Sequence, residues 1–267
     1  MRDRKTQTFV KYHSLGNDFV LFDWRGKNAD AVMATVQDAS WAPYVRQICQ
    51  QHFGVGANGV LVVMPQNEFL IFNEDGSQAE SCLNGLRCVA DYLITNGSIQ
   101  IRMGQRLCIC SLSDGEIVSD VGPVEILGEE RLSIARKVLS GYSISVGNPH
   151  FVIMKKTTAA WLARHGQSLE RHELFPQRTN VEFVWAAEDP FSYHVLVYER
   201  GCGMTLACGS GAAAITGLFH RQGLIADGQK IALKMAGGTL STWVEPSGHV
   251  MLSARAQKVF IGTVRFD

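Results

Sequence analysis

The 267-residue chain carries 25 Lys+Arg against 25 Asp+Glu, a formal net charge of zero. That balance excludes charge-driven recruitment to nucleic acid or to an anionic membrane surface as a leading role. With 46% hydrophobic and 19% charged residues the composition is globular and excludes long disorder, and no run approaches the roughly 20 apolar residues of a membrane span.

In chain order, residues 1–13 are basic, then polar and strand-like. They lack an apolar segment followed by a small-residue cleavage site, so no export signal is expected. Short runs rich in β-branched and aromatic residues predict strands at Phe19–Phe22, Val60–Val63, Phe69–Phe72, Phe151–Met154, Val181–Val184 and Tyr193–Tyr198. Amphipathic stretches at Asp38–Gln51 and Thr158–His172 predict surface helices. Leu86–Thr95 and Ala212–Arg221 are helix formers, apolar nearly all round, stopped by Asn96-Gly97 and Gln222-Gly223. Each should be a buried helix. Late strands are expected at Lys230–Met235, Leu240–Val244, Val250–Ala254 and Val259–Val264.

The chain repeats itself once. Cys82 and Cys208 are each followed by Gly three residues on (Gly85, Gly211) and by another fifteen on (Gly97, Gly223). Gly16-Asn17-Asp18-Phe19-Val20 matches Gly147-Asn148-Pro149-His150-Phe151-Val152, and Asn73-Glu-Asp-Gly76 falls where Tyr198-Glu-Arg-Gly201 falls in the second copy. Three such matches in one order point to duplication. The expected fold is therefore α/β of the α+β type: two pseudo-symmetric domains, each a mixed, mostly antiparallel sheet wrapped around a central buried helix. The halves are read as residues 1–121 plus 257–267, carrying Cys82, and 122–256, carrying Cys208, joined near Asp120 to Glu125. A cleft between them is the expected site.

The seven cysteines (Cys49, Cys82, Cys88, Cys108, Cys110, Cys202 and Cys208) are odd in number and sparse. That suits reduced cytoplasmic thiols, and their spacing matches no zinc site. Free Cys is most often an inert buried residue, which suffices for Cys49, Cys88, Cys108 and Cys110; Cys202, beside a glycine-rich turn, is expected to be an exposed passenger. Cys82 and Cys208 differ because each opens a helix. Unpaired N–H groups and the helix dipole there should lower the thiol pKa, and the same N–H groups can grip a carboxylate. Two such thiols on opposite sides of one carbon suit inversion at the α-carbon of an amino acid. One removes a proton and the other returns one, with N–H donors stabilising the enolate-like transition state.

At Lys11–Val20, Phe72–Ser77, Cys82–Cys88, Gly147–His150, Arg178–Asn180, Tyr198–Gly201 and Thr205–Gly211 the chain resembles the diaminopimelate epimerases, amino-acid racemases that use no pyridoxal phosphate. The resemblance runs nearly end to end. It implies Cys82 and Cys208 as the base/acid pair, with the backbone N–H groups of Leu83, Asn84, Gly209 and Ser210 on the reacting carboxylate. It also implies that Asn17, Asn73, Asn148, Asn180, Glu199 and Arg200 hold the distal zwitterionic head, and that His150 and Glu199 tune the thiols. No cofactor and no metal are implied. A small-molecule amino-acid substrate, a homodimer, and a place in lysine and peptidoglycan precursor synthesis are.

Leu83 stands where the family usually has Gly, Met204 where it has a carboxylate, Gly59 where some members carry Gln, and Phe260 where an aromatic hydroxyl is linked to dimer contacts. The alternatives are a racemase of another amino acid, of histidine or proline type, and a catalytically impaired binding relative. Solvent-deuterium exchange separates the three.

Overall fold

The computed structural model describes residues 6–265; the basic residues 1–5 lie outside that range. The chain divides into two compact units. One runs to Ile117 and resumes at Arg255; the other is Val118–Ala254. The divisions thus fall a few residues before the 121/122 and 256/257 boundaries read from the sequence. Among the described residues no helix is long and apolar enough to cross a membrane.

The first unit opens with a hairpin of β1 (Thr6–Ser14) and β2 (Asn17–Asp23). Its two turn residues, Leu15 (φ 52°) and Gly16 (φ 79°), both take positive φ, as a tight two-residue turn between right-twisted strands requires. Then come helices α1 (Ala29–Gln37) and α2 (Trp41–Cys49), strands β3 (Gly59–Met64), β4 (Glu68–Asn73) and β5 (Gln78–Ala79), and helix α3 (Leu83–Leu93). Strands β6 (Ser98–Met103) and β7 (Arg106–Ser113) follow. The returning β18 (Gln257–Arg265) lies antiparallel on β1. β2 runs parallel to β3, β3 antiparallel to β4, and β4 parallel to β6. Alternation along the strands splits the core into two layers. Val20, Phe22, Val60, Val62, Leu70 and Phe72 face Val32, Val36, Trp41, Val45 and Ile48 of α1 and α2. The opposite face is covered by α3, which packs on β1, β2, β3, β6, β7 and β18.

The chain crosses between units within β8 (Glu116–Gly122). The second unit then runs β9 (Glu125–Ile134), β10 (Lys137–Ser145), β11 (Pro149–Ile153), α4 (Ala159–Glu170), β12 (Asn180–Ala186), β13 (Ser192–Glu199), β14 (Gly203–Met204), α5 (Gly209–Arg221), β15 (Ile231–Met235), β16 (Gly238–Val244) and β17 (Val250–Ala254). The pairings reproduce those of the first unit. β10 and β11 are antiparallel, β11 and β12 parallel, β12 and β13 antiparallel, and β13 and β15 parallel. β9 on β10 takes the place of β18 on β1. Phe151, Ile153, Val181 and Phe183 meet Leu162 and Leu169 of α4 on one face; α5 packs on β9–β12, β16 and β17 on the other. Each unit is a mixed, largely antiparallel sheet with one buried helix, as the sequence predicts.

The register corrects one detail of the repeat. Phe72 pairs with Gln78 as Tyr198 pairs with Met204, so Asn73 corresponds to Glu199 and not to Tyr198. The buried helices also begin earlier than predicted, at Leu83 and Gly209, directly after each cysteine. Asp38–Gln51 is only partly helical, because Asp38 ends α1 and α2 starts at Trp41. α1 itself has few apolar positions to show in sequence, with Val32 and Val36 alone buried, and is secured by its cap. The Asn28 side chain accepts the N–H groups of Asp30 (2.8 Å) and Ala31 (3.3 Å). Asn28→Ala should therefore cost about 0.5–2 kcal/mol. A thermal melt would show it as a lowered midpoint with no change in activity.

Candidate active site

Each buried helix is capped by its cysteine. Cys82 is extended (φ −152°, ψ 104°) and its Sγ accepts the N–H of Gly85 at 3.3 Å. Cys208 (φ −124°, ψ 114°) accepts the N–H of Gly211 at 3.4 Å. Both sulfurs thus do what a Ser or Asp oxygen does at an N-cap, while the remaining N–H groups of the first turn lie next to the thiol. Glycine at the third position lets the turn sit close: a Cβ on Gly85 would lie 3.0 Å from a Leu61 methyl, and one on Gly211 would lie 2.5 Å from Glu182 Oε1.

In the first unit Asn17, placed by the β1–β2 turn, brings its Oδ1 to 3.8 Å from the Cys82 Sγ and accepts the Asn84 amide at 3.2 Å. The Asn17 Nδ2 donates to Asn58 Oδ1 at 3.3 Å. Asn58 was not singled out by the sequence reading, yet it is locked in place. Its backbone N–H bonds Asp18 Oδ1 (3.0 Å), and its own side chain takes the Asp18 N–H (3.1 Å). Lys11 ties this pair down, bonded to the Gly56 carbonyl and 2.5 Å from Asp18 Oδ2. The signal available in sequence was the turn-prone Gly56-Ala-Asn-Gly59. Below the helix end, the fully buried Arg87 bonds Ser14 Oγ (3.0 Å) and Asn84 Oδ1. The Leu83 side chain is buried, so its bulk is absorbed by packing. Asn73 lies opposite Gly59 in the β3–β4 ladder and closes its own turn, with Nδ2 on Ser77 Oγ at 3.0 Å. Among the described residues no hydrogen bond joins Asn73 to Cys82. At Gly59 itself a Cβ would stand 2.5 Å from the Phe72 carbonyl, so the backbone leaves no room for a side chain.

In the second unit, Ser210 Oγ lies 3.5 Å from both Cys208 Sγ and Asn148 Nδ2. Asn148 Oδ1 faces His150 Nε2 at 3.2 Å, and His150 Nδ1 faces Glu182 Oε1 at 2.7 Å. His150 is thus linked to the thiol by hydrogen bonds through Asn148 and Ser210. Asn180 uses its side chain to join two strand ends, donating to the Pro149 carbonyl (2.8 Å) and accepting the Arg200 N–H (2.9 Å). Glu199 accepts the Thr205 hydroxyl at 2.5 Å. Among the described residues no ion pair joins Glu199 to Arg200, whose guanidinium bonds the Gln177 carbonyl. Glu170, another residue missed in sequence, takes the Gly201 N–H at 3.0 Å and so pins the turn that carries Arg200.

The electrostatics overturn one expectation. Burial pushes the Cys208 thiol well above its ordinary value, and the nearby Glu199 and Glu182 push it the same way; the Ser210 and Gly211 donors oppose them and lose. A helix end alone would have lowered it; desolvation is the larger effect here. Cys208 consequently rests as a thiol. Burial also raises the Glu199 carboxyl, against hydrogen bonds from Thr205 and Cys208 that lower it. A carboxyl and a thiol hydrogen-bonded to one another and both made reluctant to ionise can pass a proton with little change in charge. Burial pushes Cys49 up to about 12 and Cys88 upward as well, which fits passengers without chemistry.

The diaminopimelate epimerase family model matches residues 9–127 and 142–259. An enzyme named diaminopimelate epimerase from Synechococcus elongatus is 35% identical over 96% of this chain and 97% of its own length. One from Desulforapulum autotrophicum is 34% identical over 96% and 98%. The chain belongs to the diaminopimelate epimerase family. This is a family of isomerases. Among solved structures, a hydroxyproline epimerase from Agrobacterium vitis with bound trans-4-hydroxy-L-proline shares the fold (TM-score 0.73, 13% identity, covering 100% of this chain and 94% of that one). A PhzF-family phenazine biosynthesis protein from Bacillus anthracis does so too (TM-score 0.70, 12% identity, 97% and 99% covered).

Proposed function

We propose that the protein interconverts LL-2,6-diaminopimelate and its meso isomer without a cofactor, with Cys82 and Cys208 as the two acid/base groups. One observation carries the reading. In both units a cysteine caps a buried helix, with an asparagine from the same point of the repeat (Asn17 or Asn148) beside the helix end. A single capped thiol would suit a nucleophile; the duplicated arrangement suits a proton leaving one face of a carbon and another arriving on the opposite face.

The substrate α-carboxylate would lie on the first-turn N–H groups of Leu83, Asn84, Gly209 and Ser210. Those N–H groups stabilise the charge that moves onto the carboxylate as the α-proton leaves. Cys208, resting as a thiol, donates a proton in one direction, and Glu199 relieves it of one in the other. The two thiols must hold different protonation states at once, so their titrations are coupled. Arg200 and the asparagines supply the guanidinium and amide groups that a distal amino-acid head requires. We place the reaction in lysine and peptidoglycan precursor synthesis, in the cytoplasm, and propose a homodimer. Val259, Phe260 and Ile261 of β18 are exposed and apolar, which suits such a contact.

In deuterated water the enzyme should introduce solvent deuterium at the α-carbon of diaminopimelate as the isomers interconvert. Proline, hydroxyproline and histidine should remain unlabelled. Label in one of those instead would favour the racemase alternative, and label in none would favour a binding protein.

A further inference from the structure

Glu182 is fully buried on β12. By strand alternation Val181 and Phe183 point to the α4 core, so Glu182 points to the α5 face, where a Cβ on Gly211 would meet its Oε1. In the parallel β11–β12 ladder it sits opposite Val152, one alternation from His150 on the same face. Its Oε1 bonds His150 Nδ1 at 2.7 Å, while its Oε2 has no hydrogen-bond partner among the described residues. A buried carboxylate oxygen left unpartnered is costly. A site that needed only to be filled would be served better by an apolar side chain, as at the neighbouring positions of the same strand.

We propose that Glu182 is a positioning residue for the reaction: it holds the His150 ring so that Nε2–H points at Asn148, which fixes the direction in which Asn148 presents its amide. The inference rests on the reading of Asn148 as a substrate-holding residue. Its logic is that of donors and acceptors. Asn148 Oδ1 is an acceptor and needs a proton on Nε2, 3.2 Å away. A lone neutral imidazole places its proton on either nitrogen. With the carboxyl at Nδ1 and Asn148 Oδ1 at Nε2, both hydrogen bonds are made only if the ring is doubly protonated opposite the carboxylate or if the carboxyl donates its own proton to Nδ1. With Oδ1 engaged, the Asn148 Nδ2 is turned toward Ser210 and the open end of α5. If the ring turned or changed tautomer, the amide could rotate and offer the substrate an oxygen in place of a donor.

The test compares two replacements. Glu182→Met fills nearly the same volume without a hydrogen bond. It should raise KM for diaminopimelate about 5–10-fold, the scale of one oriented hydrogen bond, while its kcat should lie within about twofold of that of Glu182→Gln, which removes the same charge beside Cys208. Glu182→Gln can still donate an N–H to Nδ1 and should keep KM near the wild-type value. Adding Glu182→Met to Asn148→Ala should raise KM no further than Asn148→Ala alone. A purely structural role predicts the opposite split: fewer active molecules, lower apparent kcat and an unchanged KM. That result, or equal KM values for Met and Gln variants, would overturn the proposal. Should Glu182→Met not fold, ¹⁵N spectra of the unmodified protein decide. They should show a proton on His150 Nε2, and a neutral ring protonated only at Nδ1 would overturn the proposal. Wild-type protein that leaves diaminopimelate unlabelled would instead defeat the function reading, and the His150 spectrum would still report on Glu182.

Discussion

Cys208→Ala and Cys82→Ala should each lower epimerisation of diaminopimelate by about 10²–10⁴-fold, the usual contribution of one positioned proton-transfer group. Loss of either should be nearly as damaging as loss of both, because neither half-reaction alone inverts a centre. The serine variants sharpen the test. A hydroxyl is a good N-cap, so Cys208→Ser should keep the bond from the Gly211 N–H, now 3.4 Å from the sulfur, and with it the start of α5. What serine lacks is an acid/base group able to trade protons near neutrality. Cys208→Ser should therefore melt like the wild type and remain inactive. Chiral separation of the diaminopimelate isomers gives the rate, and circular dichroism gives the melt. A serine or alanine variant that kept most of its turnover would remove that thiol from the mechanism.

The duplicated Cys–Gly elements were legible in sequence because their spacing is imposed by geometry. A cap, a glycine three residues on and a helix stop after about three turns recur wherever the same motif is built. The strands of β9 and β10 were not legible, since Glu125–Ile134 and Lys137–Ser145 are half-exposed and their charged and polar residues mask the alternation. Asn58 and Glu182 were missed for a related reason. Each is a single polar residue whose importance comes from a neighbour far along the chain, Asn17 and His150 respectively, and neither forms a local pattern. The sign of the Cys208 shift was also out of reach. A helix end is visible in sequence, whereas the burial that outweighs it, and the two glutamates 9 and 26 positions earlier that add to it, appear only when β12, β13 and α5 are packed together.

Packing beneath the site leads to the second large effect, Gly166→Ala. In the middle of an exposed helix such a change stabilises by up to about 1 kcal/mol, because alanine loses less backbone freedom and has the better helix propensity. Gly166 lies in α4 against β13, and a Cβ there would stand 2.1 Å from Tyr198 Cδ2, with two more ring atoms within 2.6 Å. No real contact is that short, so either the ring or the helix must move. Overpacking of this kind costs about 1–3 kcal/mol, occasionally more, and so outweighs the propensity gain. The melting temperature should fall by several degrees, at about 2–4 °C per kcal/mol for a domain of this size. Tyr198 is followed directly by Glu199 and Arg200, and it also pairs across the sheet with Val181 and Met204. A displaced ring should therefore shift the turn that presents both site residues, and activity should fall at temperatures well below the melt. Gly166→Ala that raised the melting point would show that Tyr198 can swing aside freely, and α4 would then play no part in setting the position of Glu199.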